Sequence, residues 1–126
     1  MAHIADPGLD DRYDAAFLFE ALHDLSRPGE ALRAIRAVLS HGAALIVADE
    51  RVSEAFTAPG DEMERLMYGF SILHCLPTRR ATAPSAALGA VLRPSTVEAL
   101  GVEAGFASVE VLPIDHDLWR FYRLQP

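Results

Sequence analysis

The chain has 126 residues, of which 51% are apolar, with a net charge of −7 and a single cysteine. That length holds one ordinary domain, and the apolar share is enough for a core and too high for a disordered tail. The negative balance, with eleven scattered basic residues, excludes an electrostatic grip on nucleic acid or an anionic membrane, and one cysteine excludes an intrachain disulfide and fits a reducing, cytoplasmic setting.

Residues Met1–Arg12 carry Pro7, Gly8 and several aspartates and read as an irregular lead-in without the apolar segment of a signal peptide. Tyr13–Phe19 (YDAAFLF) is apolar on both alternating faces, the pattern of a strand covered from both sides. A helix follows, with Ser26 as cap, Pro28 in the first turn and Glu30 at the positive end. Ala31, Leu32, Ile35, Val38 and Leu39 form its apolar stripe, and Gly42 is the expected stop. Ala43–Ala48 (AALIVA) is a second strand closing at Asp49-Glu50. Strand, helix and strand make a βαβ unit with a right-handed crossover.

After a loop over 51–60, Asp61 can cap a helix running to about Cys75. Met63, Leu66, Met67, Phe70 and Leu73 are its expected buried stripe, a pattern that more often makes core than a ligand pocket. Pro77–Leu92 reads as a long loop or lid with a short helical piece. A third helix starts near Pro94, with Ser95-Thr96-Val97-Glu98 as a capping box and Gly105 as stop. Ser108–Pro113 and Leu118–Leu124, joined by Ile114–Asp117, are expected to pair as an antiparallel hairpin.

This order of elements resembles the second half of the class I S-adenosylmethionine-dependent methyltransferase fold. Tyr13-Asp14 is similar to the "YD" entry to that family's fourth strand, Leu39-Ser40-His41-Gly42-Ala43 to its "L-x-P-G-G" turn, and Glu103-Ala104-Gly105-Phe106 to its "EAGF" turn. The resemblance implies an α/β fold over 1–126 as a single domain. That fold is a partial doubly wound, Rossmann-like sheet of order 4-5-7-6 in the family's strand numbering, with the last strand antiparallel and helices on both faces. No GxGxG lies at a strand-to-helix turn, so the expectation is the C-terminal half of such a domain without its glycine-rich cofactor motif.

Leu22-His23-Asp24-Leu25 is similar to the "LHDW" segment of small-molecule O-methyltransferases, with Leu25 in place of the tryptophan. The resemblance implies that His23 is a general base for a hydroxyl (or amine) acceptor, with Glu50 or Asp24 orienting the ring. Histidine suits that work because it titrates near neutral pH. Asp24 could equally cap the turn before Ser26, and Asp49-Glu50 could be a solvated corner. The implied cofactor is S-adenosylmethionine, touched in this chain by Leu18, Phe19 and Glu20 at the end of the first strand. Met67, Tyr68 and His74 are the implied contacts to a small-molecule acceptor. No metal is expected, because His74-Cys75 with His23 or His116 lacks ligand spacing. The other reading is a non-catalytic fragment or self-associating module: Tyr13–Phe19 would lack its usual neighbour, so a homodimer or a partner chain is expected along that strand.

Overall fold

The computed structural model describes residues 12–81 and 83–126, so most of the lead-in read over Met1–Arg12 lies outside the described residues. Four strands, β1 (Tyr13–Phe19), β2 (Leu39–Glu50), β3 (Ser108–Val111) and β4 (Trp119–Gln125), form one sheet of order β1-β2-β4-β3. β1 and β2 are parallel, with Phe19 opposite Ala48, while β4 runs antiparallel to both β2 and β3. This is the 4-5-7-6 order with its antiparallel last strand, and the fold is a partial Rossmann-like α/β sheet.

Helix α1 (Pro28–Val38) makes the crossover from β1 to β2. Its stripe is buried at Ala31, Leu32 and Ile35, as the 3.6-residue period requires. Its start differs from expectation: Arg27, not Ser26, occupies the cap position, and no side chain caps the helix. Its end differs too. Leu39 is already extended, so Gly42 lies inside β2 rather than after the helix. Gly42 has φ +81° within the stretch where the pairing slips between Tyr13–Leu39 and Ala15–Ala44. A residue without Cβ absorbs that irregularity at little cost.

Leu18, Leu45, Val47, Tyr122 and Leu124 from the sheet meet Leu32, Ile35, Val97 and Phe106 in one core. Helix α4 (Pro94–Glu103) settles closely onto β3 and β4 at Gly101, where an added Cβ would lie 2.5 Å from Val109 Cγ2. Gly105 ends the helix as expected: its N–H donates to Val102 O and that of Phe106 to Gly101 O. The expected capping box at Ser95–Glu98 is absent, because Arg93 is the cap residue and Pro94 opens the helix.

Among the described residues, the two-sided cover expected for β1 is not found. Ala16 and Leu18 face the core, whereas Phe17 is 65% and Phe19 54% exposed. β1 is an edge strand, and its odd-numbered residues lie on the face away from that core.

Helix α2 (Glu62–Phe70) is capped as predicted, with the Asp61 carboxylate accepting from Glu64 N–H at 2.7 Å. It then widens into a π-helical turn (Ser71–Cys75) and continues as α3 (Leu76–Arg80). The buried face is Glu64, Met67, Ser71 and Cys75, while Leu66, Phe70 and Leu73 are exposed. An ion pair rotates the helix away from the apolar stripe. Glu64, fully buried, binds Arg93 Nη2 at 2.6 Å, and the same guanidinium holds Tyr68 Oη at 3.0 Å and the Ser53 carbonyl. Val52, Met67, Cys75 and Ala90 make a second, smaller apolar cluster beneath this clamp. Among the described residues no helix is long and apolar enough to cross a membrane.

Candidate active site

Sites in open α/β sheets lie beyond the carboxyl ends of the parallel strands. Here β1 ends at Phe19 and β2 at Glu50, and the chain leaving β1 turns sharply. Glu20 takes φ +50°, its N–H donating to Ala48 O at 2.9 Å, and a short 3-10 turn follows at Leu22–Asp24. A left-handed conformation at a non-glycine residue is uncommon and is held only where neighbours fix it. It carries the chain back over the end of β2. Leu22 is fully buried and anchors the turn, and His23, 5% exposed, is thereby set against the end of β2.

Both carboxylates at that end reach one nitrogen of the ring. His23 Nδ1–H donates to Asp49 Oδ1 at 2.6 Å, and Glu50 Oε2 is 3.2 Å from the same atom. Asp49 is fully buried, and its Oδ1 also accepts from Glu50 N–H at 3.2 Å, which fixes the carboxylate. Asp24 lies on the other nitrogen, its Oδ1 3.7 Å from Nε2, and its Oδ2 accepts from Arg79 Nη2 at 3.2 Å. The carboxylate nearest Nδ1 is therefore Asp49; of the two expected orienting residues, Glu50 shares that nitrogen while Asp24 lies on Nε2. The alternation of β2 carried the missed signal. Leu45 and Val47 face the core, and Asp49 continues that inward series by parity. Asp24 itself closes the short 3-10 turn Leu22–Asp24 before Ser26.

These contacts set the charge on the ring. Burial pulls the His23 pKa down, but hydrogen bonds to Asp49 and Glu50, with their charges, outweigh it and hold it up at about 11. Glu50 is raised, chiefly by burial and by sharing the site with Asp49, although His23 works the other way. Glu20 is raised by partial burial and by the charge of Glu50, against the opposing pull of His23 and a hydrogen bond from Trp119.

A cavity of about 310 Å³ adjoins this cluster, with Glu20, Glu50, Met67, Phe70, Cys75 and Trp119 among its lining residues. The sequence-derived residues divide around it. Glu20, Glu50 and Met67 are brought together there. Tyr68 is not: its hydroxyl is committed to Arg93. His74 is exposed beside Arg65, Leu66, Phe70 and Leu73, on the outer side of the same helical stretch. Leu18, named as a cofactor contact, has its side chain in the core, because it shares the inward parity of Ala16. Phe19 is exposed at the strand end, its ring edge-to-face with Phe17 at 5.7 Å. Sequence reasoning missed Cys75 and Trp119, which are brought to the site by elements with no local signal for it.

Three solved structures that share this fold are described as O-methyltransferases. Mitomycin 7-O-methyltransferase matches 98% of this chain at 19% identity with a TM-score of 0.65, the match covering 32% of that enzyme. An O-methyltransferase family protein from Burkholderia thailandensis matches 98% of the chain at 14% identity and 0.64, covering 34% of its own length. A Nostoc punctiforme protein assigned as an O-methyltransferase matches 90% at 21% identity and 0.64, covering 32%. The likeness is one of fold, and the chain spans about a third of the length of these structures. No protein-family model and no curated protein matches the sequence.

The raised His23 pKa has a consequence for stability. A group whose folded pKa lies above its unfolded value of about 6.5 stabilises fully below that pH and loses the contribution as pH rises toward the folded value. In the metal-free protein, the stability advantage of wild type over His23→Gln should therefore shrink as pH is raised from about 6.5 to about 9. Urea unfolding of both proteins across that range measures it. A pH-independent difference would show that the folded ring is neutral.

Proposed function

We propose that the chain carries the acceptor side of the active site of an S-adenosylmethionine-dependent O-methyltransferase, with His23 as general base. The observation that supports this reading most strongly is His23 itself. It is buried at the carboxyl end of the parallel pair, with Nδ1 held by Asp49 at 2.6 Å. A carboxylate on the far nitrogen fixes which nitrogen meets the acceptor and stabilises the imidazolium once a proton is taken. Glu50 shares Nδ1 and also lines the cavity, so it links the base to the space an acceptor would occupy.

The residues around that space fit the cofactor's chemistry. The carboxylates of Glu20 and Glu50 and the ring of Trp119 face one cavity, a suitable environment for a sulfonium cation. When bound, S-adenosylmethionine supplies an electrophilic methyl group. Phe19 and Glu20 are the residues of this chain assigned to it, and Met67 and Phe70 the apolar wall against the acceptor. Everything else this chain contributes is positioning and proton transfer: His23 Nε2 accepts the acceptor's hydroxyl proton while the buried turn holds the ring still.

The raised pKa gives this mechanism a signature. His23 is protonated at neutral pH, so only the deprotonated fraction is competent as base. Supplied with whatever further chain the reaction requires, transfer to a phenolic acceptor should accelerate from about pH 6 to about pH 9. His23→Gln should lose about 100-fold or more in kcat. Single-turnover assays with labelled cofactor test both points. Retained turnover in the variant would remove His23 as the base.

A second reading is favoured by one observation, the edge position of β1 among the described residues. There Phe17 and Phe19 are exposed on a strand that pairs only with β2, a combination that templates pairing with another strand. On this reading the chain associates along Tyr13–Phe19, as a homodimer or with another polypeptide, and need not be catalytic alone. Light scattering at micromolar concentration should show a species larger than the monomer, reduced by Phe17→Lys. A monodisperse monomer would dismiss it.

A further inference from the structure

The fold assembles a set of ligand atoms that the sequence keeps far apart. A ring nitrogen of His23, a carboxylate oxygen of Asp24 and Cys75 Sγ all lie within 4.8 Å of one another, with Nε2 3.7 Å from Asp24 Oδ1, although Cys75 comes from the π-helical turn after α2. We propose that these three side chains form a binding site for a single thiophilic divalent cation of the zinc class.

Three features of the site point to a cation. First, the ligand types are right: an imidazole nitrogen, a carboxylate oxygen and a thiol suit zinc, which leaves a fourth position open when three protein ligands bind it. Around one tetrahedral ion such atoms sit roughly 3.3–3.6 Å apart, given bond lengths of about 2.0–2.3 Å. The Nε2 to Oδ1 separation is 3.7 Å, so side-chain adjustments of about 1 Å complete the geometry.

Second, Asp24 Oδ1 is a buried oxygen with no hydrogen-bond partner among the described residues. Its sister Oδ2 is occupied by Arg79, so the free oxygen is the one beside Nε2. A buried acceptor left unsatisfied is costly, and a bound cation would remove that cost.

Third, the histidine is already oriented as a metal-binding histidine is. Its Nδ1–H donates to the fully buried Asp49 at 2.6 Å, leaving Nε2 as the ligand nitrogen, and the incoming ion displaces the Nε2 proton and the Cys75 thiol proton to water. A carboxylate behind the ligating ring is the usual outer support of such sites. The alternative set, His23 with Asp49 and Glu50, uses the nitrogen that the Asp49 hydrogen bond already occupies. His23 and Cys75 are both buried, at 5% and 6% exposure, while Asp24 is only partly buried and gives an ion a route in. The site stands on these side chains and does not depend on methyl transfer. If His23 also serves as a base, the ion would hold the nitrogen that must take the proton and would inhibit transfer.

Cobalt(II) is the probe, added to the whole chain after chelator treatment. The expected result is a thiolate-to-cobalt charge-transfer band in the near ultraviolet, with tetrahedral visible bands, saturating at one ion per chain and displaced by zinc. Cys75 is the only thiol in the chain, so the band in the unaltered protein already reports on it. Cys75→Ser should abolish the band while the circular dichroism spectrum is kept. Asp24→Asn and His23→Gln should each weaken binding about tenfold or more. Absence of the charge-transfer band, or only the weak absorption of cobalt bound by nitrogen and oxygen, as at the exposed His41 and His74, would overturn the proposal. So would unchanged affinity in Asp24→Asn.

Discussion

The hydrogen bond between His23 and Asp49 is the contact around which the carboxyl end of the sheet is organised. Two carboxylates at the end of β2 could not share that buried place without a counter-charge, since burying an unpaired charge costs several kcal/mol. His23 supplies it, held at a raised pKa by Asp49 and Glu50. The turn after β1 must deliver the ring to that point, and the left-handed backbone of Glu20 with the buried Leu22 does so. The same interaction fixes which ring nitrogen is engaged and which is left to meet a ligand.

A second buried ion pair plays the corresponding part for the covering layer. Glu64 and Arg93 join α2 to the start of α4, and Arg93 also reaches Ser53 in the loop after β2. Breaking one partner of such a pair is strongly destabilising, so the pair dictates which face of α2 turns inward. That choice brings Met67 to the cavity and Cys75 to both the cavity and His23. It also leaves Leu66, Phe70 and Leu73 as an exposed apolar surface. The site thus rests on two buried ion pairs, His23 with Asp49 and Arg93 with Glu64.

Much of the sheet was legible in the sequence, because strand and helix periods act locally. The extent of β1, the buried stripe of α1, the Asp61 cap, the Gly105 stop and the antiparallel pairing of β3 with β4 all follow from short patterns. The strand order came from resemblance rather than from any local signal. What local pattern could not supply was decided by partners distant in sequence. The inward face of α2 depends on Arg93, 29 residues from Glu64. The exposure of β1 follows from its place at the sheet edge. The choice of Asp49 over Glu50 was readable from strand parity, whereas Cys75 was paired with His23 only as a metal set that spacing argued against, because its arrival depends on how α2 packs. The site's histidine was found by resemblance, and its partner nearest Nδ1 by structure.

The account turns on His23 being a buried imidazolium whose Nδ1–H is held by Asp49. Nitrogen-15 and proton NMR of the imidazole in the metal-free protein addresses this directly. Both ring nitrogens of His23 should keep protonated chemical shifts past pH 9, with a strongly deshielded Nδ1 proton. A His23 ring that loses its proton near the unperturbed histidine value of about 6.5 would contradict the account.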